Sequence, residues 1–145
     1  MLRDDFVAEI RSWIGTPYMQ DAGVKGGGTN CSRFALAAVE KVLGVNGSHL
    51  KTKPHKVLLR DDPHTIVSFL DSFCERVPAK EMKKGDIAII SIASIPCWAA
   101  VFVGNGNFVF VPRRACVLEG PLPSNIEEKI THIFRVKAFL EEAAL

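Results

Sequence analysis

The chain has 145 residues, of which 48% are apolar and 23% are charged, a balance typical of folded globular proteins. Its 18 basic and 16 acidic residues give a net charge of +2, too small an excess to indicate binding to nucleic acid or to an anionic membrane. No stretch reaches the roughly 18 apolar residues of a membrane span, and the N-terminus does not resemble a secretory signal. We therefore expect a single domain over residues 1–145 that is cytoplasmic in the producing cell.

The N-terminal half of the sequence has the apolar spacing of helices. A first helix is predicted over residues 4–14, followed by a loop over 15–28. A second helix is predicted from Cys31 to Leu43, because small and apolar residues recur there at helical spacing. A third begins with Asp62 as its cap, and residues 45–61 between the two are predicted to form a loop.

The C-terminal half changes to the pattern of strands. Strands are predicted at 87–92, 98–103, 108–111, 116–118 and 132–136, followed by an amphipathic tail over 137–145. The Asn105-Gly106 pair predicts a hairpin turn, because these residues adopt positive φ at low cost. Helices followed by a meander of strands indicate an α+β fold, with the N-terminal helices packed on an antiparallel sheet.

Cys31 is the residue with the clearest chemical potential. It lies at the first turn of the second predicted helix, after the glycine run at 26–28. Unpaired N–H groups and the helix dipole favour a thiolate there, and the glycines let a substrate approach the backbone closely. This is a suitable place for a cysteine nucleophile. A small buried residue that happens to start a helix would fit the same position.

The four cysteines, Cys31, Cys74, Cys97 and Cys116, are far apart and form no C-x-x-C pair. Zinc sites usually contain close pairs, and disulfides are rare in a reducing cytosol. We therefore predict mostly buried thiols, with no metal and no cofactor. A metal or iron–sulfur site built from all four cysteines is the alternative, and visible absorbance would reveal a cluster.

The order of several motifs resembles that of NlpC/P60 domains, which have a papain-like fold. Gly15-Thr16-Pro17-Tyr18 is similar to the family's G-T-P-Y, and Asn30-Cys31-Ser32 to its D-C-S. The stretch KKGDIAIIS is similar to the family's G-D strand. The stretch WAAVFVGNGNFVFVP is similar to the hairpin that follows in the family.

This resemblance implies a cysteine peptidase or amidase of cell-wall peptides, with Cys31 at the nucleophile position and Tyr18 shaping the site. The position of the base histidine is occupied by Trp98, and that of the polar residue orienting it by Phe110. An indole N–H cannot accept a proton, and a phenyl ring cannot orient an imidazole. If the hairpin keeps the family's register, Trp98 and Phe110 point toward Cys31 and form an apolar plug over it.

None of the four histidines, His49, His55, His64 and His132, occurs where the family's base does. We expect each to be a surface or structural residue. The missing base implies a catalytically impaired protein.

A branch of small proteins from phage and prophage tail operons resembles the chain further. The similar segments are Phe108–Cys116 and Phe134–Val136. The resemblance implies a tail-tip or assembly protein that acts through contacts with other tail proteins and can be part of a virion tail. The loop 45–61 is the expected contact surface. The alternative is an active cysteine amidase or endopeptidase that cleaves cell-wall peptides with Cys31 and an unplaced base, such as His132 or a partner chain.

Overall fold

A computed structural model of the protein describes residues 2–19, 23–29, 33–43, 65–112 and 114–139. Over these ranges three helices precede the main sheet, as predicted, although a short two-stranded ribbon lies between the first two helices and a short helix precedes the last strand. The helices are α1 (Leu2–Arg11), α2 (Arg33–Leu43), α3 (Thr65–Asp71) and the short α4 (Ser124–Glu127), with a 3₁₀ turn at Ala79–Glu81. The predicted loop 45–61 and the cap at Asp62 lie outside the described residues.

The strands form two separate sheets. A short ribbon pairs β1 (Gly23–Val24) with β2 (Gly28–Thr29). The main sheet contains β3 (Cys74–Arg76), β4 (Ile87–Ile92), β5 (Ile95–Gly104), β6 (Asn107–Phe110), β7 (Leu118–Gly120) and β8 (Ile130–Val136). Its order is β3-β8-β4-β5-β6-β7, and all neighbours are antiparallel. The α+β class predicted from the sequence is therefore confirmed.

The turn between β5 and β6 is the predicted hairpin. Asn105 and Gly106 have φ values of 54° and 76°, the left-handed conformation that a tight hairpin requires and that Asn-Gly supplies. Gly104 pairs with Asn107 across the turn. The turn fixes which residues of the two strands share a face.

Each face of the main sheet buries its own apolar cluster, because successive strand residues point to opposite faces. The helix-side cluster joins α1 and α2 to the sheet and includes Phe6, Ile10, Phe34, Ala38, Ala99, Val101, Val109 and Phe134. The far-side cluster is smaller and contains Ala88, Ile90, Ala100, Phe108, Phe110 and Leu122. Helix α2 therefore packs on the sheet as predicted.

The first helix differs from its predicted bounds of 4–14. It begins at Leu2 and ends at Arg11, and residues 12–15 form turns. Trp13 and Ile14 donate their N–H groups three residues back, to Ile10 and Arg11, which tightens the chain as a 3₁₀ turn does. Trp13 stays buried, whereas Ile14, the last residue of the predicted helix, is 45% exposed.

Several strand bounds also differ from prediction. Strand β5 begins at Ile95 rather than at residue 98, and Pro96 lies at a shift in register opposite Ser91, where a strand tolerates proline. The segment predicted at 116–118 forms β7 two residues later, because Cys116 bridges Pro17 instead. The last strand begins at Ile130, not residue 132.

A buried ion pair fixes the strands at the base of the main sheet. Arg135 on β8 donates to both carboxylate oxygens of Asp86, at 3.1 and 2.8 Å, and to the carbonyl of Glu81 at 2.7 Å. The Lys83 N–H also donates to Asp86, at 2.8 Å. Asp86 is fully buried and Arg135 is 7% exposed. The hydrogen bond from the guanidinium to Asp86 raises the pKa of Arg135.

Candidate functional site

The glycine-containing loop that precedes the candidate nucleophile is held in a defined conformation. The Gly26 N–H donates to Thr16 Oγ1 at 3.0 Å, and the Met19 N–H donates to the Thr29 carbonyl at 2.8 Å. A Cβ atom at Gly28 would lie 2.8 Å from the Cβ of Met19, so only glycine allows this close approach. These contacts hold the described part of the loop against Thr16 and Thr29, ahead of α2 in the sequence.

Glu9 on α1 connects this loop to both helices. Its carboxylate accepts from Lys25 at 2.7 Å, from Lys41 of α2 at 3.4 Å and from the Trp13 indole at 3.3 Å. Burial by itself raises the pKa of Glu9, but the hydrogen bonds and charges of Lys25 and Lys41 outweigh it and lower the pKa below its ordinary value of 4.5. Glu9 therefore stays ionised at neutral pH and links α1 to the loop through Lys25 and to α2 through Lys41. We call these two ion pairs the Glu9 clamp.

Tyr18 lies beside the segment that leads to the candidate nucleophile. Its backbone bridges Thr29, its N–H donates to the Ala115 carbonyl at 2.8 Å, and its ring packs against the helix-side cluster. Cys31 follows Thr29 by two residues and lies outside the described residues. The site-shaping role of Tyr18 stays a prediction, and so does the nucleophile role of Cys31.

Arg33 is a feature of this region that the sequence reasoning missed. It begins α2 and is only 9% exposed although it carries a charge. Arg33 follows Cys31 by two positions in the sequence, and a guanidinium favours a thiolate only where the two groups lie close together. The only sequence signal for this feature was that Arg33 is a basic residue in the first turn of the predicted second helix.

Trp98 and Phe110 lie on the same face of the β5–β6 hairpin, as predicted. Phe110 is 5% exposed within the far-side cluster, and the half-buried Trp98 packs against that cluster. Phe102 and Phe108 share this face with their ring centroids 5.2 Å apart. The environment is apolar and aromatic. The predicted plug over the thiol stays a prediction, since its position relative to Cys31 is not described.

His132 lies away from Trp98, the position where the resemblance expects the base. It pairs with Ile89 on β4, which pairs with Ala99 on β5, so two strand spacings, about 10 Å, separate His132 from β5. Its ring stacks on Phe134 of the helix-side cluster at 6.0 Å, and its Nδ1 lies 2.9 Å from Thr131 Oγ1. His132 and Trp98 therefore occupy opposite faces of the sheet. His49, His55 and His64 lie outside the described residues.

The thiols that the structure describes differ in environment. Burial, with the charges of Asp71 and Asp86, raises the pKa of Cys74 to about 12, whereas Cys116 is exposed. The expectation of buried thiols is thus correct for Cys74 and wrong for Cys116, which the bridge to Pro17 leaves at the surface. Cys97 has no described side chain.

Neither a metal centre nor a membrane helix is found in the described ranges. Their His, Cys, Asp and Glu side chains form no group of three or more that could hold a metal ion. No helix there combines the length and the apolar character needed to cross a membrane. The predicted absence of a metal and of a cofactor stays a prediction.

Known proteins resemble this chain in structure rather than in sequence. No protein-family model matches it, and no curated protein does. RipD from Mycobacterium tuberculosis, described as a non-catalytic NlpC/P60 domain protein adapted to a peptidoglycan-binding function, superposes with a TM-score of 0.66 at 17% identity, covering 94% of this chain and 98% of RipD. The NlpC/P60 domain of the peptidoglycan hydrolase SagA gives 0.67 at 18%, covering 92% and 98%.

A third similar structure is an NlpC/P60 family protein from Bacillus cereus, with a TM-score of 0.67 at 22% identity. The match covers 92% of this chain and 40% of the Bacillus cereus protein. These superpositions extend over nearly all of the chain, so they include both its helices and its antiparallel sheet. The chain therefore has the NlpC/P60 fold.

Proposed function

We propose that this chain is a catalytically impaired NlpC/P60-fold protein that acts by binding, as a tail-tip or assembly component of a phage-type tail. The observation that carries the proposal is the apolar surrounding of the two positions where the resemblance expects a base and its orienting group. Phe110 is buried in the far-side cluster, and Trp98 packs against that cluster.

Cysteine hydrolysis needs a group that takes the thiol proton and later protonates the leaving amine. Neither indole nor phenyl can do either step. If this apolar cluster covers the thiol, as the resemblance implies, it also disfavours a thiolate, because burial penalises the charged form. With Trp98 and Phe110 at these positions, the chain keeps the scaffold of the site but lacks the groups that would transfer protons.

A loss of catalysis on this fold has a parallel in RipD, which is described as a non-catalytic domain adapted to peptidoglycan binding. The parallel supports a binding role for the present chain. The resemblance of Phe108–Cys116 and Phe134–Val136 to tail-operon proteins favours tail proteins as its partners. Arg114 and Cys116 are exposed within the first of these segments, so part of it is accessible to a partner.

An active cysteine amidase acting on peptidoglycan peptides is the second candidate. Two observations favour it: the bridge between Tyr18 and Thr29 beside the approach to Cys31, and the buried guanidinium of Arg33. It would need a base from outside the positions of Trp98 and Phe110. His132 lies two strand spacings from β5, the strand on which the resemblance expects the base.

Deletion of the coding gene from its native genome separates the two candidates. We expect missing or defective tails by electron microscopy and a loss of infectivity, with both restored by the intact gene and equally by a Cys31→Ala variant. The intact protein should also co-purify with tail proteins. Normal particles and infectivity after deletion, together with cleavage of peptidoglycan by the purified protein, would contradict the proposal in favour of the amidase.

A further inference from the structure

A pocket of about 420 Å³ opens on the helix side of the main sheet, between α3, the beginning of β8 and the β4–β5 turn. We call it the hydroxyl pocket. Its polar lining consists of Ser68, Asp71, Arg76, Ser91, Ser94, Thr131 and His132. It lies on the opposite face from the far-side cluster, so it is separate from the positions of Trp98 and Phe110.

Hydrogen bonds within the wall hold several of these groups in place. Ser91 Oγ lies 2.7 Å from Thr131 Oγ1, which lies 2.9 Å from His132 Nδ1. Ser91, at one end of this chain of contacts, is 8% exposed. Polar groups fixed in this way lose little entropy when a ligand binds, which favours affinity.

The charges of Arg76 and Asp71 balance within the lining, and Lys137 adds one positive charge nearby. Arg76 donates to both carboxylate oxygens of Asp71, from Nε at 3.0 Å and from Nη2 at 2.7 Å. The hydrogen bond from Arg76 is the main cause that lowers the pKa of Asp71, and the charges of His132 and Lys137 also lower it. Asp71 is thus neutralised by Arg76, and Lys137 leaves an excess of positive charge nearby.

The turn that forms one wall is strained. Ala93 and Ser94 have φ values of 52° and 68°, the left-handed region that favours Asn and Gly in a two-residue hairpin. Non-glycine residues in this region are held there at a cost, and such strain is concentrated at binding sites and switches. Here the strain positions Ser94 in the lining of the pocket.

We propose that the hydroxyl pocket binds a carboxylate group presented by an acidic peptide segment of a partner protein. Arg76 and the serine hydroxyls supply donors for the two carboxylate oxygens, and the Nη1 group of Arg76 takes no part in the pair with Asp71. Val67 and Pro96 supply apolar surface for the methylene groups of an acidic side chain. The pocket does not depend on Cys31 and would bind such a segment with or without catalysis.

Titration of the isotope-labelled full chain, followed by amide NMR shifts, tests this proposal. The probe is an acetylated, amidated hexapeptide of glutamate and glycine, compared with the same peptide carrying glutamine. We expect saturable shifts at Ser94, Thr131 and His132 with the glutamate peptide and none with the glutamine peptide. Equal shifts with both peptides, or no saturable shifts, would refute the proposal. Inorganic phosphate that saturates these shifts while the glutamate peptide does not would also refute it.

Two variants identify the pocket as the binding site. Arg76→Gln should weaken binding of the glutamate peptide by roughly tenfold, the change that about 1.4 kcal/mol produces. Arg11→Gln is its matched control, because Arg11 forms a similar exposed pair with Glu119 at 2.9 Å. The control should bind like the parent. Equal weakening in both variants would indicate general charge attraction and would overturn the assignment.

Ser94→Gly provides a test that does not depend on a destabilising change. It removes a hydroxyl and relieves the positive φ, so it should weaken binding while the protein stays at least as stable. Asn105→Gly relieves a similar φ of 54° at the β5–β6 turn, away from the pocket, and should leave binding unchanged. Unchanged affinity in Ser94→Gly together with unchanged affinity in Arg76→Gln would exclude the pocket.

Discussion

His132 and Trp98 lie on opposite faces of the main sheet, two strands apart. His132 stacks on Phe134 in the helix-side cluster, whereas Trp98 packs against the far-side cluster. The described histidine therefore lies on the face opposite to Trp98, the position where the NlpC/P60 resemblance expects the base.

The reactivity of the cysteines is the first expected outcome. We expect iodoacetamide to label Cys116 of the native protein at the rate of an exposed thiol, and Cys74 hardly at all, because burial raises the pKa of Cys74 to about 12. Under the proposed plug, Cys31 should label more slowly than Cys116. Peptide mass spectrometry gives the three rates in one experiment. Labelling of Cys31 much faster than Cys116 would indicate an activated thiolate.

Phe110 should contribute to stability as a core residue. Phe110→Ala removes a ring that is 5% exposed in the far-side cluster, and such a cavity costs about 3 to 5 kcal/mol in the free energy of unfolding. Ile95→Ala is the control, since Ile95 is 48% exposed and should change stability by no more than about 0.5 kcal/mol. Urea unfolding measures both. Similar losses in the two variants would argue against a packing role for Phe110.

The ion pair between Asp86 and Arg135 should be much more sensitive to substitution than the exposed pair between Asp71 and Arg76. Asp86→Asn leaves the buried guanidinium of Arg135 without its counter-charge, which costs about 3 to 5 kcal/mol. Asp71→Asn breaks an exposed pair, which costs about 0 to 1 kcal/mol. Thermal and urea unfolding should separate the two variants clearly. A small loss in Asp86→Asn would mean that the pair is not a main support of the sheet.

The Glu9 clamp should weaken in acid. Because Lys25 and Lys41 lower the pKa of Glu9 below 4.5 in the folded protein, its ionised form favours folding at pH values above 4.5. This contribution should be lost as the pH falls below 4.5 through the lowered pKa. Glu9→Gln should therefore be less stable than the parent at pH 7, and the difference should shrink toward pH 3. A difference that stays constant from pH 7 to pH 3 would contradict the clamp.

Local signals explain which parts of the fold could be predicted from the sequence. The helical spacing up to Leu43 and the Asn105-Gly106 turn depend on neighbours in the chain. The turn and the existence of both helices were predicted correctly, but the first helix begins and ends earlier than predicted. Strand β3 could not be foreseen, because its three residues form a strand only by pairing with β8, as Cys74 does with Val136.

The two sites also differ in how far they depend on neighbouring residues or on the pairing of distant strands. The register implied by the resemblance placed Trp98 and Phe110 on one face of the hairpin, but the alternation of strand residues could not tell which face the helices cover. The hydroxyl pocket was not predicted, because Ser91 and Thr131 are 40 residues apart in sequence and meet only through the pairing of β4 with β8. The roles of Cys31 and Tyr18 follow from the resemblance and stay predictions.

Cleavage of cell-wall peptides by the purified protein tests the central claim most directly. The assay incubates purified peptidoglycan and its soluble peptides with the protein, with a Cys31→Ala variant and with an active NlpC/P60 hydrolase as a positive control, and follows new amines by mass spectrometry. We expect no cleavage by the protein above the level of Cys31→Ala, because no proton-transfer group stands at the positions of Trp98 and Phe110. Cleavage by the protein that disappears in Cys31→Ala would contradict the account and identify a working cysteine amidase.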